Sequence, residues 1–146
     1  MDAVMTGQLV LPSATNPDVR EPFVDVDDVA EVAVAALMDP RHIGATHELT
    51  GPRLLTFAEA ASEIAAVTGR PIQYLPLTVE DWRAAAASSL PPGYLDPLTE
   101  LLTSTLDGHN GYLDDGVARV LGRPARDFGD YVREAAATGA WAAQAG

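Results

Sequence analysis

The chain contains no cysteine and no lysine. Without cysteine there are no disulfides, thiol nucleophiles or thiolate metal sites. That composition is compatible with the cytoplasm, the expected location. All nine basic residues are arginine. Without lysine there is no Schiff base and no phosphate-loop lysine. Positive charge is also scarce, and the formal net charge is -12. A nucleic-acid partner needs a basic face, and so does an anionic membrane surface. Neither partner is expected. No apolar run reaches the roughly 18 residues of a membrane span. The start, MDAVMTGQLVLPSATNPDV, has an acid at position 2 and lacks the pattern of a signal peptide.

What is present is a chain of 146 residues, 47% apolar, enough for one domain with a real core. The domain is expected to span 1–146, with a frayed tail at 142–146. Much of the apolar content is alanine, so close-packed helices are expected. Phe23, Phe57, Phe128, Trp82 and Trp141 then carry more of the packing than usual.

QLVLP (8–12) reads as a short strand that Pro12 ends. FVDV (23–26) alternates and reads as an extended piece. A helix follows through DDVAEVAVAALMDP, with Asp28 and Glu31 in capping-box spacing. From Val29 to Leu37 it is apolar almost all round, which predicts burial on several sides. THELTG (46–51) reads as a strand. Thr56 and Glu59 form a second capping box, and Gly69 stops that helix with Pro71 beyond. IQYLPL (72–77) is a third strand, and Thr78 opens a helix carrying Trp82. YLDPLTELLTSTLDG gives a helix with Leu98, Leu101, Leu102 and Leu106 on one side. Two further helices follow, one stopped at Gly122 and one opened by Asp127. The Gly-Arg-Pro triplets at 69–71 and 122–124 read as a shared stop signal, not a repeat.

Three segments carry a family resemblance: FVDVDDVAEVAVAAL, HELTGPRLLTFAEAASEIAAVTGRPIQYLPL and DDGVARVLGRPARDFGDYVRE. In order and spacing they resemble the C-terminal half of the NmrA-like family, the atypical short-chain dehydrogenases. The resemblance covers roughly residues 8 to 135. It implies a small helix-rich α/β domain with three or four short strands, comparable to the late part of a Rossmann-type protein. Family members bind NADP or NAD through an N-terminal half with a Gly-rich turn. No such glycine spacing occurs here, and the Tyr-x-x-x-Lys pair of ordinary short-chain dehydrogenases is impossible without lysine. No cofactor-binding residue can therefore be carried over, and no cofactor is expected on this chain. The start at Met1 favours a reduced relative that kept only the substrate lobe over a piece of a longer reductase. A reduced relative would leave the edges of QLVLP and THELTG bare, which predicts a homodimer.

Candidate chemistry follows from residue types. Asp25, sharing a face with Phe23, could serve as a base if that face is inward; the alternative is a solvated acid. Asp28 and Glu31 read as helix caps. His42, His47 and Glu48 lack metal-site spacing, and no metal is expected. The loop DGHNGYLDD combines an imidazole, an amide and a phenol in His109, Asn110 and Tyr112. In the resembling family this region flanks the substrate cleft, whereas a plain glycine-rich turn is the other reading. His109, Tyr112 and Asp25 are the catalytic candidates. Tyr74, Trp82, Tyr94 and Asn110 are candidates for lining the site of a small organic molecule, core packing being the alternative for the aromatics. The leading functional expectation is a cofactor-independent isomerase, cyclase or dehydratase. The alternatives are a fragment or partner subunit of an NAD(P)H-dependent reductase, and a non-catalytic ligand- or protein-binding module.

Overall fold

A computed structural model describes residues 8–12, as backbone, and residues 18–141. The expected frayed tail at 142–146 lies outside the described residues. The strands are β1 (Gln8–Pro12), β2 (Arg20–Glu21), β3 (Leu55–Thr56) and β4 (Gln73–Leu77). The helices are α1 (Val26–Met38), α2 (Phe57–Thr68), α3 (Val79–Ala86), α4 (Leu95–Thr105), α5 (Gly116–Leu121) and α6 (Phe128–Ala137). A 3-10 turn at Pro40–His42 follows α1. The domain is thus a helix-rich α/β unit with short strands. β1 and β4 pair in parallel, from Gln8 opposite Gln73 to Pro12 opposite Leu77. β2 and β3 pair antiparallel, Arg20 opposite Thr56 and Glu21 opposite Leu55.

Several helix ends follow the local code. The Thr56 hydroxyl accepts from the Glu59 backbone N–H at 3.1 Å, and the Glu59 carboxylate accepts from the Thr56 N–H at 2.8 Å. This reciprocal pair satisfies two orphan donors at the start of α2. Gly69 ends α2 in the left-handed region at φ 66°, and Gly122 ends α5 at φ 68°, where glycine avoids the Cβ clash. The Thr78 hydroxyl caps α3 through the Asp81 N–H.

The main core lies between α2, α6 and β4. Ala61, Ile64, Ile72, Val132 and Trp141 form its buried centre. Alanines 60 and 61, almost fully buried on α2, let the helices approach closely. Each large side chain buried there contributes about 1.5–3 kcal/mol relative to exposure. Phe23 joins this core to the N-terminal segment, with its ring 5.3 Å from Phe57 and 5.2 Å from Phe128. These spacings suit edge and tilted aromatic contacts.

The structure corrects three expectations. First, Asp25 caps α1, not Asp28. Asp25 is extended (φ -70°, ψ 134°), and its carboxylate accepts from the Asp27 N–H at 2.7 Å. Asp28 sits inside the first turn, fully buried, and accepts from the Arg126 backbone N–H at 2.7 Å and the Arg126 guanidinium at 2.6 Å. Arg123 also reaches Asp28, and both arginines reach Glu31. Second, α1 buries only Asp28 and Val32, while Val34, Leu37 and Met38 are exposed. On α4, Leu106 just past its end is buried but Leu101 is exposed.

Third, THELTG is not a strand with a bare edge. It runs unpaired by any ladder between two other stretches of chain. On one side the Gly51 N–H donates to the Pro22 carbonyl at 3.3 Å. On the other, the Thr50 hydroxyl donates to the Asp114 carbonyl at 2.8 Å and accepts from the Asp114 N–H at 3.0 Å. The packing is so close that only glycine fits at two positions. A Cβ on Gly51 would stand 1.9 Å from the Phe23 carbonyl oxygen, and one on Gly116 would stand 1.8 Å from that of Glu48.

Candidate functional site

Residues of three stretches, 21–24, 48–50 and 105–112, together with Phe57, wall a cleft of about 340 Å³. Its apolar surface comes from Pro22, Phe23, Val24, Leu49 and Phe57. Its polar groups are Glu21, Glu48, Asn110 and Tyr112, with Thr50 and Thr105. β2 ends at Glu21, and Pro22 then removes a backbone donor. The short ladder to β3 therefore fixes Glu21 and releases the chain into the cleft wall.

Glu21 is the unusual member. It is only 8% exposed, and its Oε1 is buried without a hydrogen-bond partner. Burial pushes its carboxyl above the usual range, and the negative charge of Asp107 adds to this. His109 and the hydrogen-bonding Asn110 amide act in the opposite sense. The Tyr112 phenol is also raised, chiefly by the Glu48 charge, then by burial and its hydrogen bond to Glu48. The group can accept or supply a proton and can hold a ligand by hydrogen bonds against an aromatic wall.

The expected site residues divide. Asn110 and Tyr112 line the cleft as a pair. His109 flanks it: its backbone N–H donates to Asp107 at 2.8 Å, its ring meets the same carboxylate, and the side chain is exposed. Those contacts, the backbone one foremost, hold the Asp107 carboxyl below its ordinary range. Asp25 is not in this cleft. It lines a second hollow of about 320 Å³ with Val26, Phe128 and Tyr131, which shares only Phe23 and Val24 with the cleft. Its carboxylate is buried and engaged as the α1 cap.

The three aromatics expected along the same cleft are not among the residues that line it. Tyr74 stacks on Phe57 with centroids 6.0 Å apart and packs against the core, where burial raises its phenol. Trp82 is buried on α3, and Tyr94 is 64% exposed at the start of α4. Sequence reasoning missed Glu21 altogether. It belongs to no motif, and the only local sign is an acid wedged between Arg20 and Pro22 before an apolar stretch.

Among the described residues neither a metal nor a dinucleotide finds a ready site. Among the described residues no group of three or more His, Asp or Glu is placed to hold a metal ion. His42 and His47 instead meet each other, Nδ1 to Nε2, at 3.0 Å. A pyrophosphate needs a Gly-rich strand-to-helix turn or free basic groups. The arginines are committed internally: Arg20 to Glu59, Arg53 to Glu63 and Asp127, Arg123 and Arg126 to Asp28 and Glu31. The residues present do not fit a dinucleotide on their own.

No protein-family model matches the chain. Individual relatives do. It is 36% identical over 120 residues to an NAD(P)H azoreductase from Xenophilus azovorans, covering 81% of this chain and 42% of that protein. It is 34% identical over 111 residues to the (4-alkanoyl-5-oxo-2,5-dihydrofuran-3-yl)methyl phosphate reductase of Streptomyces griseus, covering 76% of this chain and 39% of that enzyme. In fold it matches an NADPH-dependent quinone oxidoreductase from Escherichia coli with a TM-score of 0.77 at 22% identity, over 91% of this chain and 48% of the other. The chain therefore spans about two-fifths of the length of the curated relatives it matches. Over most of its length it is related to a part of the NmrA-like, NAD(P)-dependent reductases, at the level the sequence resemblance implied.

Proposed function

We propose that this chain forms the substrate-side part of an NAD(P)H-dependent oxidoreductase acting on a small organic molecule. The observation that carries this reading is the similarity to the azoreductase over 120 residues, 81% of the chain. The cleft supports it, being a partly apolar hollow with a few convergent polar groups. When bound, a nicotinamide cofactor would supply hydride. The residues that would hold its pyrophosphate are not found in this chain, so no hydride step is assigned to it. What the chain's own residues contribute is a surface for the organic substrate and, in Glu21 and Tyr112, groups able to exchange a proton. The relatives favour this reading over a cofactor-independent isomerase, cyclase or dehydratase, since they are reductases by name. On this reading the protein works in the cytoplasm, where reduced nicotinamides are supplied.

The test has two arms. Titrating the 146-residue chain with NADPH, followed by nicotinamide fluorescence, should show no saturation below about 1 mM. An antibody to the chain should detect a native protein more than twice 15.4 kDa, and that protein should quench with NADPH. A native 15.4 kDa protein that transforms an organic substrate without NADPH would overturn the reading. A short native protein that gains NADPH-dependent activity only on mixing with a second polypeptide would point to a reductase completed in trans.

A homodimer is a second reading for the chain by itself. It is supported by the outward Val34, Leu37 and Met38 of α1 and the neighbouring Ile43, all largely exposed.

A further inference from the structure

Glu21 is more than nine-tenths buried, lines the cleft and keeps Oε1 out of water with no donor to meet it. A carboxylate oxygen in that state is costly, and native proteins seldom leave one so without a use. The nearby cations do not satisfy it. Arg20, its neighbour in the chain, turns away to Glu59 at 2.9 and 3.0 Å and to the Leu54 carbonyl at 3.2 Å. The His109 ring is held by Asp107. The Tyr112 hydroxyl is engaged with Glu48.

The charged residues that line the cleft are both acids, and the His109 imidazole at its edge is engaged with Asp107. Glu21 and Glu48 line it, Asp107 stands beside it, and no arginine is among its lining residues. An anionic ligand would meet like charge on the cleft wall. The body of the hollow is apolar and aromatic, through Phe23, Phe57 and Leu49, and its volume of about 340 Å³ suits one or two rings.

We propose that this cleft binds an aromatic organic cation, with the Glu21 carboxylate turning Oε1 out of its buried position to accept from a protonated nitrogen, and the ring lying against Phe23 and Phe57. This names the substrate class of the site described above, and it rests on the reductase reading only for the word substrate. A charged N–H donor supplies what the buried oxygen lacks, a hydrogen bond and a compensating charge together. A neutral isostere supplies at most the first, and a carboxylate neither.

The test uses the full 146-residue chain and three probes of one shape: benzylamine, benzyl alcohol and benzoate. Each is titrated at pH 7 to about 10 mM while backbone amide resonances are followed by NMR. Benzylamine should shift Phe23, Asn110 and Tyr112 and bind at least about tenfold more tightly than benzyl alcohol. Benzoate should not bind. Glu21→Gln, which keeps the side-chain shape, should abolish the preference for the amine while its amide spectrum remains folded. Glu100→Gln, the same change at an exposed acid of α4 that does not line the cleft, should retain it in full. The proposal is overturned by equal binding of amine and alcohol, by a preference that survives Glu21→Gln, by benzoate binding, or by no binding of any probe. No arm uses NADPH. Loss of the amine site would leave the reductase reading standing, and failure of NADPH coupling would leave the amine site standing.

Discussion

Glu21 carries a stability signature besides its place in the cleft. Its folded-state carboxyl is raised above the ordinary value of 4.5. A group raised on folding contributes stability that is fully present below its unfolded pKa and lost as pH rises through the folded one. Ionisation of Glu21 therefore works against the fold at neutral pH. Glu21→Gln removes the desolvated charge and should stabilise the protein at pH 7 by about 1–2 kcal/mol. The gain should shrink toward zero as pH falls below about 4.5. Urea unfolding of both proteins between pH 4 and 8 checks this, and a gain that is flat with pH would remove the assignment. The acids held by arginines have the opposite sign. Asp127, lowered mainly by its hydrogen bond to Arg53, contributes stability at neutral pH that is lost on acidification. At this scale the sequence was a partial guide. It marked Asn110 and Tyr112 because amide and phenol in a glycine-rich loop are recognisable as types. It did not mark Glu21, because what sets that residue apart is burial, and burial is a product of the tertiary fold that pairs Glu21 with Leu55 and not of its neighbours in sequence.

Helix caps show the same division at the scale of elements. α2 and α3 begin where Thr56 and Thr78 say they should, since the hydroxyl and the N–H it accepts from lie within one turn. The start of α1 is ambiguous locally, because Asp25, Asp27 and Asp28 all have cap chemistry. Arg126, 98 residues away in sequence, decides it by taking Asp28 into a buried ion pair and leaving the cap to Asp25. This clamp joins α1 to the stretch between α5 and α6. Removing one partner of a buried pair costs far more than the pair is worth against an apolar replacement, because the other charge is stranded. Asp28→Asn should destabilise by about 3 kcal/mol or more. Glu31→Gln removes a carboxylate that is 45% exposed on the same two arginines, and should cost far less, because water screens an exposed pair. Thermal and urea unfolding of the two variants in parallel measure the difference. Equal losses would mean that the clamp is a surface network and that α1 is held by Val32 alone.

For the whole molecule, α1 poses the sharpest question. Its run of valine, alanine and leucine reads as a helix buried all round, yet it presents Leu37 at 87% and Met38 at 79% exposure, with Val34 beside them. The pattern was legible, and the partner it calls for is not among the described residues. On the proposed reading of a reductase part the reason is physical, since a helix that packs against a larger body keeps an apolar face for it. Two occupants are consistent with such a face: the remainder of a reductase, or a second copy of this chain. The 146-residue chain, purified alone, should therefore self-associate at micromolar concentration. Val34→Glu with Leu37→Glu should shift it to monomer with little change in melting temperature, because neither side chain contributes to the buried core. Sedimentation velocity reads both outcomes. A wild-type monomer would show that the face tolerates water, and would remove the dimer. In a longer native protein the same pair of substitutions should leave the oligomeric state alone and lower the melting temperature instead, because the face would then be an internal contact. One double variant, made in both forms, thus separates the two occupants by which quantity moves.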